Sequence, residues 1–310
     1  MSQDSSIENG FYKVLPDYKR YNQKYTAFNR AVWDPELAKR AEDAKLKAKP
    51  RLRDEEGYTV MDLALAAAGR HLDRGHRHIL TSQEGTWKWP IAKTKAPVNN
   101  LSEMSRKIKW AAKWLGADLV GICKLDRRWI ISHANNLYRR QTLMQQGYTV
   151  YPRPIIEDQP VELPDEIQYA ISLGFNQGEL IHHSPDIRAD AATGFAYSRT
   201  SFVSSSLARY IRELGYNAIP CGAGDMQLAI PIAVEAGLGE LGRNGLLITS
   251  DFGPNVRLTT VLAELPLQTD IPQRIGATKF CDKCRKCAKN CPAQAITYES
   301  MTTSGPTISN

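Results

Sequence analysis

Four cysteines stand within eleven residues of this chain, in the order Cys281-x-x-Cys284-x-x-Cys287-x-x-x-Cys291-Pro292. Three thiolates spaced this way in a tight loop can converge on one iron–sulfur cubane, and a fourth followed by proline turns away to ligate a second cluster. Zinc is the alternative, but zinc sites usually draw on two separated pairs. The spacing predicts a [4Fe–4S] site, with Cys281, Cys284 and Cys287 on one cluster and Cys291 on its neighbour. Each cluster is then short of cysteines. The missing ligands would come from a second run beyond Asn310, and the polar ending TTSGPTISN reads as an arbitrary cut, so a fragment of a two-cluster protein is expected. The other two cysteines, Cys123 in VGIC and Cys221 in IPCG, read as small buried residues rather than nucleophiles.

The rest of the composition excludes more than it assigns. With 42% hydrophobic and 24% charged residues the chain has globular proportions. No apolar run approaches the length of a membrane span, and the start MSQDSSIENG has no apolar signal-peptide core. The net charge of +7 is spread out. Its densest basic run, Lys45 to Arg53, is flanked by Glu42, Asp43, Asp54, Glu55 and Glu56. It reads as a solvated helix end and linker, and no nucleic-acid partner is expected.

Periodicity predicts helices over Pro35–Ala48, over 60–79 through Val60, Leu63, Leu65, Ala68 and Leu72, over 102–115 and over 201–214. Strands are predicted in ADLVGICKL, in QYAISLGF (168–175), and in LLITS and VRLTTVLAEL on either side of the turn DFGPN. Alternating helices and strands give an α/β or α+β class. Gly237-Leu238-Gly239-Glu240-Leu241-Gly242 matches G-x-G-x-x-G, but helix-like IPIAVEA precedes it and strand-like NGLLITS follows. That inverts the order of a dinucleotide fingerprint. Glycines at this density still mean that backbone comes close to another chain segment or to a flat cofactor.

The segments TGFAYSRTSF, RELGYNAIPCG, AIPIAVEAGLGELGRNGLLITSDFGPNVRL and TKFCDKCRKCAKNCPAQAI, between Thr193 and Ile296, resemble the corrinoid-dependent reductive dehalogenases of organohalide respiration. KRYNQKYTAFNRAVWDPEL (19–37) and KWLGADLVGICKLDRRWI extend the likeness over nearly the whole chain. Epoxyqueuosine reductases share the cofactor set and part of this pattern, but not the N-terminal aromatic segment. An epoxyqueuosine-type reductase, or a non-catalytic iron–sulfur electron carrier or corrinoid binder, remains an alternative.

The resemblance implies an N-terminal wrapping segment (1–60), a nitroreductase-like corrinoid-binding catalytic core (61–268) and the first part of a ferredoxin-like unit (269–310). It implies a cobalamin-type corrinoid, two [4Fe–4S] clusters in the full-length protein, and reductive replacement of a carbon-bound halogen by hydrogen. It also implies a halogenated small-molecule substrate, a small membrane anchor protein, a membrane electron donor and a place on the periplasmic side of the cytoplasmic membrane. Family members carry a twin-arginine signal, which this chain lacks, and that again fits the expectation of a fragment. None of the six histidines has the D-x-H-x-x-G context of a lower cobalt ligand, consistent with the family's base-off corrinoid.

By the same resemblance Tyr197 is the proton donor and Arg257 its partner, and Thr193, Ser198 and Gly239 touch the corrinoid. A phenol titrates at about 10; a nearby guanidinium lowers that value and makes a usable general acid. Arginine suits the role because it keeps its charge when desolvated. Without the resemblance these residues read as a core tyrosine and a strand-edge charge. One departure stands out: the family's asparagine after the PxG turn is missing from Pro220-Cys221-Gly222-Ala223-Gly224-Asp225, which bears on substrate range. Trp33, Trp87, Trp89, Trp110 and Trp114 could line an apolar pocket, though each reads first as a packing residue. Trp110 and Trp114 share a helix face.

Overall fold

The two most apolar strands of the sequence pair at the centre of the molecule. The computed structural model describes residue 14 and residues 17–48, 53–69, 91–134, 158–222 and 226–298. Its main sheet joins β1 (Leu119–Lys124), β4 (Tyr169–Asn176), β8 (Val256–Ala263) and β5 (Ala218–Cys221) in the order β1-β4-β8-β5. Every neighbour is antiparallel, with Phe175 opposite Arg257 and Ile171 opposite Val261. The short strands β2 (His133–Ala134) and β3 (Gln159–Pro160) form one ribbon, and β6 (Glu240–Leu241) and β7 (Leu247–Ile248) another.

Helices cover both faces of the sheet, which is why its central strands read as almost unbroken apolar runs. Strand alternation divides the side chains between two cores. Tyr169, Ile171, Leu173, Phe175, Val261 and Ala263 point to the side of α4 (Leu101–Trp114) and α5 (Ile187–Glu213). Ala170 and Leu262 point to the other side, where they meet Trp129, Ile130 and Ile232, the last from α6 (Ala229–Glu235). The mixed α/β class agrees with the sequence reading. Among the described residues no helix is long and apolar enough to cross a membrane.

Ahead of the sheet lie α1 (Ala27–Trp33), α2 (Pro35–Ala48) and α3 (Val60–Gly69). The chain before α1 is tied to the second core. Arg20 donates to the carbonyls of Ile130 (3.0 Å), Ile131 (2.7 Å) and Val161 (2.6 Å). The Tyr18 hydroxyl donates to Arg128 O, and its ring meets Trp129 edge-on.

Three expectations need correction. Helix α5 begins fourteen residues before Ser201. Its first half, from Ala189 to Ser201, is rich in alanine, serine and threonine, so no row of large apolar residues marks the period. The start is fixed by Asp186, whose carboxylate accepts the Arg188 N–H. Second, the expected apolar face of α3 points outward: Val60, Leu63 and Leu65 are exposed, and Ala66 packs on Ile187 and Ala191. Alanines from both helices, Ala66 and Ala191, make up most of that contact. The later part of the expected 60–79 helix lies outside the described residues. Third, of LLITS only Leu247–Ile248 is strand, and it pairs with β6 rather than β8. Trp87, Trp89 and the Ala223–Asp225 turn also lie outside the described residues.

Candidate active site and cysteine segment

Strand register and helix periodicity bring together two residues sixty positions apart. Arg257, the second residue of β8, lies on the face covered by α5, and Tyr197 lies on the inner side of that helix. Arg257 Nη1 donates to the Tyr197 hydroxyl at 3.1 Å, and the guanidinium carbon stands 4.6 Å from the centre of the phenol ring. Both side chains are half-buried. The pair can hold a proton at the phenol oxygen and meet a negative charge left there with a fixed positive one.

Gln177, just past β4, completes the arrangement. Its Oε1 accepts from Arg257 Nη2 at 2.9 Å and from Nε at 3.3 Å. The platform beneath is tied down by Arg199, which donates to Gly116 O, Asn176 O and Asp118 Oδ2. Asp118 Oδ2 also accepts the Asn176 N–H at 2.7 Å. Sequence reasoning missed Gln177. It follows the strand in an exposed-looking Gln-Gly step, and nothing nearby in sequence marks it.

Of the three residues expected at the corrinoid, Thr193 lies one helical turn before Tyr197 and shares its face. Ser198 is only 4% exposed and lies about 100° round the helix from Tyr197. Gly239 belongs to the stretch before β6. A side-chain carbon there would stand 2.1 Å from the Ile248 carbonyl oxygen.

That contact explains the glycine motif. Gly237 (φ +75°) approaches the Ile271 carbonyl in the same way. Another chain segment, one of the two possibilities the sequence left open, lies against both glycines. The motif also seats the cysteine segment, comprising α7 (Ala277–Cys284), α8 (Lys286–Lys289) and the loop through Cys291. Glu240 Oε2 accepts the Thr278 N–H at 3.1 Å, at the start of α7. Buried Arg243 donates to Cys281 O at 3.1 Å and to Thr297 O at 3.0 Å. Neither Glu240 nor Arg243 was singled out from sequence, although both stand within or beside the G-x-G-x-x-G match.

All four cysteines of the segment are half-buried. Cys281 and Cys284 are three apart on α7, and Arg285 (φ +52°) breaks the helix before Cys287. Among the described residues no three His, Cys, Asp or Glu side chains gather as a metal-holding group. The donor chemistry nevertheless suits a cluster at one ligand. Backbone amides, that of Ala295 first, aim at Cys291 and hold its thiol below the usual range. Amide hydrogen bonds to sulfur are a common feature of cluster thiolates.

Cys123 and Cys221 are buried, as expected. Burial, with a smaller contribution from Glu235, pushes the Cys123 thiol well above its ordinary range. Trp110 and Trp114 do share a face, with rings stacked 6.3 Å apart, but that face is in solvent: they are 65% and 74% exposed and do not pack in the core.

No protein-family model matches the chain. It is 36% identical over 289 residues to the tetrachloroethene reductive dehalogenase of Sulfurospirillum multivorans, covering 86% of this chain and 56% of that protein. The chain is a homologue of the reductive dehalogenases. It spans about half the length of that curated relative. A weaker likeness reaches the epoxyqueuosine reductase of Atelocyanobacterium thalassa, 30% identical over 142 residues, or 44% of this chain and 45% of that protein. In fold, the dehalogenase homologue matches a solved structure described as a reductive dehalogenase that suggests a mechanism for B12-dependent dehalogenation. The TM-score is 0.64 at 22% identity, over 91% of this chain and 36% of that one. A related structure was solved in complex with 3-bromo-4-hydroxybenzoic acid, with the same TM-score and identity and the same share of each chain.

Proposed function

We propose that this chain supplies the catalytic core of a corrinoid-dependent reductive dehalogenase, in which a halogenated small molecule exchanges a carbon–halogen bond for a carbon–hydrogen bond. The observation that carries the reading is the 3.1 Å hydrogen bond from Arg257 to the Tyr197 hydroxyl, in a chain 36% identical to a tetrachloroethene reductive dehalogenase. The net reaction takes two electrons and one proton, forms C–H and releases halide. When bound, the corrinoid supplies the reduced, nucleophilic cobalt that this chemistry needs. Tyr197 gives its phenolic proton to the carbon that loses the halogen. The Arg257 guanidinium stabilises the phenolate left behind, and water reprotonates it at the half-exposed site. Thr193, on the Tyr197 face of α5, touches the corrinoid together with Ser198 and Gly239.

The wider organisation is proposed on the same basis. Residues 1–60 wrap a nitroreductase-like core (61–268), and residues 269–310 begin a ferredoxin-like unit. Cys281, Cys284 and Cys287 ligate one [4Fe–4S] cluster and Cys291 a second, and the clusters pass electrons singly toward the cobalt. The amides aimed at Cys291 support that assignment. The protein would act on the periplasmic side of the cytoplasmic membrane, beside a small anchor protein and a membrane electron donor.

The test is Tyr197→Phe in the full-length enzyme carrying its corrinoid and iron. Dehalogenation should fall at least about 100-fold with corrinoid and iron content unchanged. Full activity in that variant would remove the tyrosine from the mechanism.

A further inference from the structure

We infer that Gln177 is a positioning residue that holds Arg257 in register with Tyr197. The inference rests on the proposed roles of that pair and adds the element that aims it. A guanidinium carries five N–H donors in a rigid fork. In this site the fork is divided between two partners. Nη2 and Nε go to a single oxygen, Gln177 Oε1, at 2.9 and 3.3 Å, which leaves Nη1 directed at the phenol oxygen at 3.1 Å. Rotation of the guanidinium about its own plane would break all three contacts together.

A glutamine amide can present either its oxygen or its nitrogen, and a guanidinium, which only donates, takes the oxygen. Asn255 reinforces that choice from the other end. Gln177 Nε2 donates to Asn255 Oδ1 at 3.4 Å, and the Asn255 amide nitrogen donates to Gly178 O at 3.0 Å and Asn176 Oδ1 at 3.3 Å. The backbone carbonyl of Gly178 accepts only, so the Asn255 nitrogen must face it. That turns Asn255 Oδ1 toward Gln177, which in turn leaves Gln177 Oε1 for Arg257. The backbone adds a further tie, from Gln177 N–H to Asn255 O at 3.3 Å. Donation therefore runs one way from Arg257 through Gln177 and Asn255 to the Gly178 carbonyl, and from the same guanidinium the other way to the Tyr197 hydroxyl. The row is built from the end of β4 and the turn before β8, two neighbouring strands held in register along their whole length.

Charge makes glutamine the suitable acceptor. A carboxylate at this position would hold the guanidinium equally well but neutralise the charge meant for the phenolate. A neutral amide oxygen orients the fork and leaves its charge available.

The experiment is a double-mutant cycle in the full-length holoenzyme, with Gln177→Met removing the acceptor at similar volume, and Arg257→Met. Gln177→Met alone should lower kcat about tenfold, the worth of one hydrogen bond to a charged group, with KM and corrinoid content unchanged. In the Arg257→Met background it should cost nothing further, because Gln177 acts through the arginine. Gln177→Glu should restore the guanidinium's position but not the rate. The readout independent of turnover is the ¹³Cζ resonance of Tyr197 in labelled enzyme. It should move in the same direction in Gln177→Met and Arg257→Met, and should stay near its parent position in Gln177→Glu. If Tyr197→Phe keeps full activity, the proposed mechanism fails while the resonance still decides whether Gln177 positions Arg257. Additive rate losses in the cycle, or an unmoved resonance in Gln177→Met, would overturn the positioning role.

Discussion

Replacing Gly239 with alanine separates the two things a glycine motif can mean. The added methyl would stand 2.1 Å from the Ile248 carbonyl oxygen, 2.9 Å from its carbonyl carbon and 3.2 Å from the Thr249 α-carbon. Carbon and oxygen rarely approach closer than roughly 3.3 Å, so the chain must open by about 1 Å at this point. All three obstructing atoms are backbone, so no side chain can swing away to make room. Glu240 pairs with Ile248 in the β6–β7 ribbon, so the opening falls on that ladder. Overpacking of a closed site costs about 1–3 kcal/mol, and with backbone as the obstacle we take about 3. At about 2–4 °C per kcal/mol, the melting temperature should fall by about 6–12 °C. The assay is thermal unfolding of the chain without cofactor, with Gly245→Ala as control. Gly245, unlike Gly239, has positive φ (+75°), but no atom lies within 4 Å of the would-be methyl, so only backbone strain is added and the loss should be smaller. Because Glu240 holds the start of α7, Gly239→Ala should also speed amide exchange in residues 277–284. If it melts like the parent and loses only corrinoid, the glycine is there for the cofactor and the steric argument is wrong.

Two further predictions concern groups whose environment is already fixed. Arg243→Met leaves the carbonyls of Cys281 and Thr297 without their donor; two bonds to a charged group total about 3 kcal/mol, so amide exchange over residues 277–298 should accelerate on the order of 100-fold while β4 and β8 stay protected. Unchanged exchange would mean that the cysteine segment is held elsewhere. Native Cys123 should resist thiol alkylation at pH 8 and react only on unfolding. The folded chain keeps its proton where the unfolded chain releases it, so this thiol's contribution to stability is present below roughly pH 8.5 and declines as pH rises above it; rapid alkylation of the native protein would contradict the burial.

The parts of this fold legible in the sequence are those where side-chain size alternates. Strand β4 announces itself because both faces are buried and most of its residues are apolar, and β8 because β-branched and apolar residues run through most of its length. Helix α4 does so because Ile108, Ala111 and Ala112 repeat at helical spacing, and all three are buried. The first half of α5 stayed hidden because close packing of helix against helix selects small residues, and small residues carry no hydropathy signal. Local order was also legible in GLGELGRNG, where helix before and strand after argued against a nucleotide. What it could not disclose was the partner: Ile248 and Ile271, which the glycines meet, become neighbours only through the fold.

The candidate site divides along the same line. Tyr197 and Arg257 were reached through resemblance, and either alone has an ordinary structural reading. Their pairing is a consequence of register: Arg257 sits opposite Phe175, and Phe175 points into the core beneath α5. A shift of β8 by one residue would send the guanidinium to the other face of the sheet, away from the phenol. The site therefore depends on the same β4–β8 pairing that builds the core, and so does Gln177, which follows β4 by a single residue. A side chain that acts only by accepting two hydrogen bonds from a distant arginine has no composition, period or spacing to betray it. It becomes visible once the strands are paired, and for that reason an amide just beyond a buried strand merits the same scrutiny as the charged groups it faces.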